Sequence, residues 1–119
     1  MSWKNVFKKS QELVLSTCSK NCEPNLNVVI SLGFHDDKLL VANSQMNTTI
    51  KNLSENNKIC VYSKNDNQYV RIKGTVEITN SGKYFDICLK ADKQYPAKDA
   101  ILISVEEIFD LDNVKKIDE

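Results

Sequence analysis

Three glycines, two prolines and a single histidine are all that this chain of 119 residues holds of those types. Each scarcity excludes a class of chemistry. Gly33, Gly74 and Gly82 stand too far apart to build a phosphate-cradling loop or a dinucleotide fingerprint. His35, in the turn-like 35-HDD-37, leaves no Ser-His-Asp or Cys-His constellation to assemble. It also leaves no ligand spacing for zinc. No stretch approaches 18 apolar residues, so no membrane span is expected. The start, 1-MSWKNVFKKS-10, lacks the apolar segment of a signal peptide. Charge of either sign is not in excess: Lys plus Arg is 16, Asp plus Glu is 16. That balance argues against a general nucleic-acid binder and lowers the barrier to self-association. The four cysteines, Cys18, Cys22, Cys60 and Cys88, form no Cys-x-x-Cys pair. With no export signal they read as reduced thiols in a cytoplasmic protein.

Acid–base candidates are equally thin. Asp36 with Asp37, and Glu106 with Glu107, are adjacent in sequence, and adjacent side chains in a strand or turn diverge. No catalytic residue can be assigned, and any chemistry falls to a cofactor.

Residues 1–119 read as one domain, with a core at about 12–111 and a polar tail, 112–119, expected to fray. A short amphipathic helix over 3–11 carries Trp3, Val6 and Phe7 on one face. Strands follow at 12–19, 25–34 and 38–43, separated by the turns 20-KNCEP-24 and 35-HDD-37. A helix at 47–56 precedes strands at 58–63 and 68–79, joined by the turn 64-KNDN-67. Gly74 inside the second predicts a bulge or bend. A second helix runs from 80-NSG-82 to about Lys93, and a last strand covers 99–111. Hairpins dominate this order, which excludes a doubly wound parallel sheet. It predicts a mainly β domain with flanking helices, a small six-stranded antiparallel barrel filled by its own side chains. A ligand must then sit outside the barrel or at a subunit seam.

The stretch 44-SQMNTTIKNLSENNK-58 is the chemically suggestive one. Ser44, Asn47, Thr48 and Thr49 crowd the entry of the predicted helix, and Lys51 lies one turn in. Such residues cap a helix for stability alone. They also suit an anion, because first-turn N–H groups and the helix dipole favour negative charge. The residues leave both readings open.

Four collinear pieces resemble the FMN-binding split barrels related to pyridoxamine 5′-phosphate oxidase. They are 13-LVLSTCSKNCEPNLNVV-29, 40-LVANSQMNTTIKNLSENNKICV-61, 69-YVRIKGTVEITNSGKYFD-86 and 96-PAKDAILISVEEIFDL-111. Together they span most of 12–111. The resemblance implies a six-stranded antiparallel split barrel that dimerises with itself and holds FMN at the seam. It places the flavin ring along Asn27, Val28, Val29, Ile30 and Ser31, with Asn43 and Ser44 at the exit of the third strand. It places the phosphate near Met46, Thr48, Thr49 and Asn52. Where the family has lysine this chain has Thr48, so Lys51, or the partner subunit's Lys73 or Arg71, would supply the missing charge. Cys22 stands at a usual turn glycine, with Asn21 as a candidate for the positive-φ position. With one arginine and one histidine, true pyridoxamine phosphate oxidase activity is not expected. Flavin-dependent oxidoreduction, with NAD(P)H or a redox protein as partner, is the implied activity. A flavin carrier or electron-transfer module, or a barrel binding haem, a deazaflavin or nothing, remains the alternative.

Overall fold

A computed structural model describes residues 3–118. Eight strands form one antiparallel sheet: β1 (Glu12–Cys18), β2 (Pro24–Ile30), β3 (Phe34–His35), β4 (Lys38–Asn43), β5 (Lys58–Lys64), β6 (Tyr69–Thr79), β7 (Asp99–Asp110) and β8 (Lys115–Ile117). Helices α1 (Asn47–Glu55) and α2 (Lys83–Ala91) interrupt them. The strand order is β2-β1-β5-β6-β7-β4-β3, with β8 alongside β7. The two ends, β2 and β3, do not pair with each other, so the barrel is split rather than closed.

Six of these strands are the six expected from sequence. The other two are corrections, and both are short. The expected strand 25–34 stops at Ile30 because Ser31 turns inward, donating its hydroxyl to the Phe7 carbonyl (2.7 Å) and accepting the N–H of Gly33 (2.9 Å). Phe34 and His35 then form β3 against Leu39 and Lys38. The two residues between, Asp36 and Asp37, both have positive φ (53° and 66°), the geometry a two-residue hairpin needs to match strand twist. The tail does not fray throughout: Lys115, Lys116 and Ile117 pair with Asp110, Phe109 and Ile108. The expected helix at 3–11 is a 3-10 turn confined to Trp3–Phe7. Its apolar residues are nonetheless buried, and Trp3 meets Phe34 edge to face at 5.7 Å.

The inward positions follow the strand period of two. Leu13 and Leu15, Val61, Ile72 and Ile103 join Phe7 and Leu53 of α1 in the barrel core. A second cluster lies on the opposite face of β4 and β7, where Leu40, Ala100 and Leu102 meet Cys88 of α2. That is why 39-LLV-41 and 100-AILI-103 are apolar without alternation: α2 covers their outer face and the barrel occupies their inner one. The β6–β7 register shifts between Lys73 and Gly74. A β-carbon on Gly74 would collide with the Ser104 backbone, so the bulge expected at this glycine is also a close approach of two chains.

The outer face of β2, β1 and β5 has no such cover among the described residues. Leu26, Val28 and Ile30 point outward at 53–61% exposure, opposite Ser16, Val14 and Glu12 of β1. Val14 in turn opposes Tyr62 of β5, and Ser16 opposes Cys60. Directly opposed residues share a face, so these side chains form one band. On β2 the usual polarity is inverted. Leu26, Val28 and Ile30 face out, while Asn25 and Asn27 face the protein beside Val29.

Candidate functional site

The α1 entry is built differently from the sequence expectation of a well-capped helix. Met46 occupies the N-cap position, and no side chain caps the first turn. Asn43, four residues before the start of the helix, accepts the Met46 N–H at its Oδ1 (2.8 Å) and donates its Nδ2–H to Asp99 (3.0 Å). The Ser44 hydroxyl turns away to donate to the Tyr95 carbonyl (2.9 Å). Thr48 and Lys51 remain exposed on the helix surface.

Thr49 and Asn52 face inward and hold α1 to the sheet. The Thr49 hydroxyl contacts Asn27 Oδ1 and accepts from Asn25 Nδ2 at 3.3 Å. Asn52 Nδ2 donates to the buried Thr17 hydroxyl at 3.1 Å. Both residues are at most 4% exposed. Ser31 is likewise fully buried and engaged within the chain. Of the twelve sequence-nominated residues, six, Asn27, Ser31, Asn43, Ser44, Thr49 and Asn52, have side-chain polar groups occupied by the fold itself. Thr48, Lys51 and the outer edge of β2 have groups turned to solvent.

Two clefts flank the first turn of α1. One, of about 440 Å³, lies between the β1–β2 turn and the exposed face of α1, and brings Thr48, Lys51 and Asn52 together with Lys20 and Asn25. Glu23 and Glu55 line it too, and Glu55 accepts the Lys20 backbone N–H at 3.2 Å. The turn that shapes this cleft has φ of +65° at Cys22, so the positive-φ residue is Cys22 itself and not Asn21. The other cleft, of about 270 Å³, joins Val29, Ser44 and Met46 with Tyr95. Sequence reasoning missed Tyr95, Asn25 and Asp99. Tyr95 lies in the loop 94-QYPAK-98, and only its pinning to Asn43 and Ser44 reveals its position.

These features fit a phosphorylated, planar cofactor. The uncapped first turn offers N–H donors and a positive dipole end to a phosphate, with the Thr48 hydroxyl and Lys51 beside it. Strand β2 ends the sheet path, so one edge of its backbone has no strand partner with which to share hydrogen bonds.

Other reactive groups are poorly placed for catalysis. Burial pushes the Cys88 thiol up to about 11, and it raises Cys60 as well, so neither is a ready thiolate. Cys60 and Cys18 line a third cleft, of about 570 Å³, on the outward sheet face, together with Lys73, Glu106 and Glu107. His35 Nε2 lies 2.9 Å from the Leu32 carbonyl, which only a protonated nitrogen satisfies. Asp36 is held below the usual carboxylate range by hydrogen bonds from Lys83 and Tyr84, which tie α2 to the β3–β4 turn. Arg71 lies over the Phe109 ring at 4.7 Å and pairs with Glu107 at 3.3 Å. Among the described residues no cluster of three or more His, Cys, Asp or Glu could hold a metal ion. No helix among them is long and apolar enough to cross a membrane.

Comparison with known proteins adds a lineage to this geometry. A model of the pyridoxamine 5′-phosphate oxidase family matches residues 2–112. An uncharacterised protein of Methanocaldococcus jannaschii is 30% identical over 125 residues, covering 90% of this chain and 83% of that protein. HupZ of Group A Streptococcus superposes with a TM-score of 0.83, at 22% identity, over 97% of this chain and 95% of that one. That likeness is one of fold. An FMN-binding protein of Syntrophomonas wolfei superposes with a TM-score of 0.75, at 25% identity, over 90% of this chain and 80% of that one.

Proposed function

The chain belongs to the pyridoxamine 5′-phosphate oxidase family, and from that premise we propose that it is a homodimeric FMN-binding protein serving flavin-dependent oxidoreduction. The observation that carries the reading is the start of α1: an uncapped helix entry beside Thr48 and Lys51, next to the edge strand β2. Bound FMN would supply hydride or one-electron transfer. The chain's own part is to bind and orient it. First-turn N–H groups, the Thr48 hydroxyl and Lys51 would hold the phosphate. The free backbone edge of β2, over Asn27–Ile30, would offer hydrogen bonds to the polar edge of the ring. Asn43, Thr49 and Asn52 would fix α1 against the sheet so that both ends are held at one spacing.

The dimer proposal has its own support. Leu26, Val28 and Ile30 expose an apolar row on a sheet face that neither helix covers. Elsewhere α2 covers the equivalent face of β4 and β7. A second copy is the cover this face lacks, and the balanced charge of 16 against 16 offers little repulsion to it. Four free cysteines suit a reducing compartment, and the cytoplasm is the proposed location.

A non-catalytic carrier or electron-transfer module is the second reading. It is favoured by one fact: among the described residues, apart from the phenol of Tyr95, the single ionisable side chain lining the smaller cleft is Asp92. Both readings are tested on the purified protein. A flavin spectrum, with FMN released on denaturation, supports the proposal. A colourless protein that takes up no FMN at tens of micromolar overturns it, and a haem or deazaflavin spectrum redirects it. Steady-state oxidation of NADH or NADPH by the loaded protein distinguishes oxidoreductase from carrier.

A further inference from the structure

The loop between α2 and β7 is fixed with unusual care for a segment that leaves a large aromatic side chain half in solvent. Asp92 Oδ1 accepts the N–H groups of Gln94 (2.9 Å) and Tyr95 (3.1 Å). The Tyr95 carbonyl accepts the Ser44 hydroxyl at 2.9 Å, and Lys98 N–H donates to the Asn43 carbonyl at 2.7 Å. Ala97 between them is buried at 7% exposure. So the backbone on both sides of Tyr95 is tied down, twice to the residues at the exit of β4. The Tyr95 side chain nonetheless stays 50% exposed, and it lines the 270 Å³ cleft with Val29, Ala42 and Met46. A rigidly held tyrosine beside apolar walls presents contact area at little entropic cost. The cleft's ionisable groups also say which end of a ligand it takes. Asp92 would repel a phosphate, whereas Lys20 and Lys51 line only the cleft on the other side of the α1 entry.

We propose that Tyr95 is a ring-positioning residue, packing its phenol against the planar heteroaromatic ring of the bound cofactor while the phosphate occupies the Lys20–Lys51 cleft. The proposal rests on the FMN reading above, and it assigns a residue of the α2–β7 loop to a site otherwise built from β2, β4 and α1. Tyr95 then sets ring affinity and fluorescence, because electron transfer from a phenol in contact with an excited flavin quenches its emission.

The test is FMN titration of the wild-type protein, Tyr95→Phe and Tyr95→Leu, followed by affinity and by the emission of the bound flavin. Circular dichroism serves as the fold control. Expected are wild-type affinity within about threefold for Tyr95→Phe and a loss of about tenfold for Tyr95→Leu, with brighter bound flavin in both. Tyr95→Leu binding FMN within twofold of wild type, with unchanged emission, overturns the assignment and leaves the FMN reading standing. A wild-type protein that binds no FMN overturns both. Should the leucine variant fail to fold, Tyr95→Phe still decides through its emission: unchanged brightness at wild-type affinity counts against contact.

Discussion

The side-chain carbonyl of Asn43 accepts the backbone N–H of Met46 at 2.8 Å, and so steadies the chain one step before α1 rather than capping the helix itself. No side chain caps the first turn of α1, and the Asn47 N–H donates to the Gln45 carbonyl at 3.1 Å. Five expectations follow from this arrangement and from the sheet around it.

Asn43→Ala removes the bond to Met46 and leaves Asp99 without its amide donor. A lost cap or buried hydrogen bond costs about 1–2 kcal/mol. Thermal unfolding should fall by about 4 °C for each kcal/mol in a chain of this size. A melting temperature equal to wild type would show that this contact contributes nothing.

Thr48→Lys should restore a charged donor at the α1 entry. A hydrogen bond to a charged group contributes about 1.5–3 kcal/mol, so FMN affinity should tighten about tenfold to hundredfold. Titration by flavin fluorescence measures it. Unchanged or weaker binding would place Thr48 away from the phosphate.

Val28→Asp puts a charge in the middle of the exposed row Leu26–Val28–Ile30. The side chain faces solvent in the protomer, so the fold should survive, as read by circular dichroism. Sedimentation should show a monomer with markedly weaker FMN binding, because desolvating an unpaired carboxylate opposes association. A folded Val28→Asp dimer would move the seam elsewhere.

Gly74→Ala drives a methyl group into the Ser104 carbonyl across the β6–β7 bulge. Because the obstacle is backbone, it cannot be relieved by a rotamer change. A cost of about 2 kcal/mol is expected, at the middle of the range for overpacking. Urea unfolding reads it as a lower midpoint with an unchanged slope. Wild-type stability would contradict the close approach.

Cys22→Gly should act in the opposite direction. Cys22 holds φ of +65°, a left-handed conformation that costs an L-residue about 1–2 kcal/mol and glycine nothing. Glycine's larger unfolded-state entropy returns part of the gain, leaving about 0.5–1 kcal/mol of net stabilisation. A midpoint that falls in urea would mean the turn tolerates cysteine without strain.

Much of this fold was legible in the chain. The period-two pattern of Leu13–Leu15 and Ile59–Val61 and the unalternated 39-LLV-41 each encode which faces are buried, because burial acts residue by residue along a strand. Gly74 announced its bulge for the same local reason. The two short strands were not legible. β3 exists because Ser31 is pulled inward by the Phe7 carbonyl, 24 residues away. β8 exists because the end of β7 leaves an edge that three polar-flanked residues can pair with. Neither partner is visible from the segment itself.

The candidate site divides along the same line. Sequence alone determined the polar crowd at 44-SQMNTT-49, the family-like order of pieces and the lack of acid–base machinery, since these depend only on residue identity and spacing. Tertiary structure decided how each polar group is used. Asn43, Thr49, Asn52 and Ser31 spend their hydrogen bonds on the fold, and Thr48 and Lys51 remain at the surface. It also decided that Tyr95, some fifty residues downstream of Ser44, stands at the same corner. A hydrogen bond has one donor and a limited set of acceptors. Which polar residue is left over for a ligand is therefore a property of the packed chain, settled only when every other partner is in place.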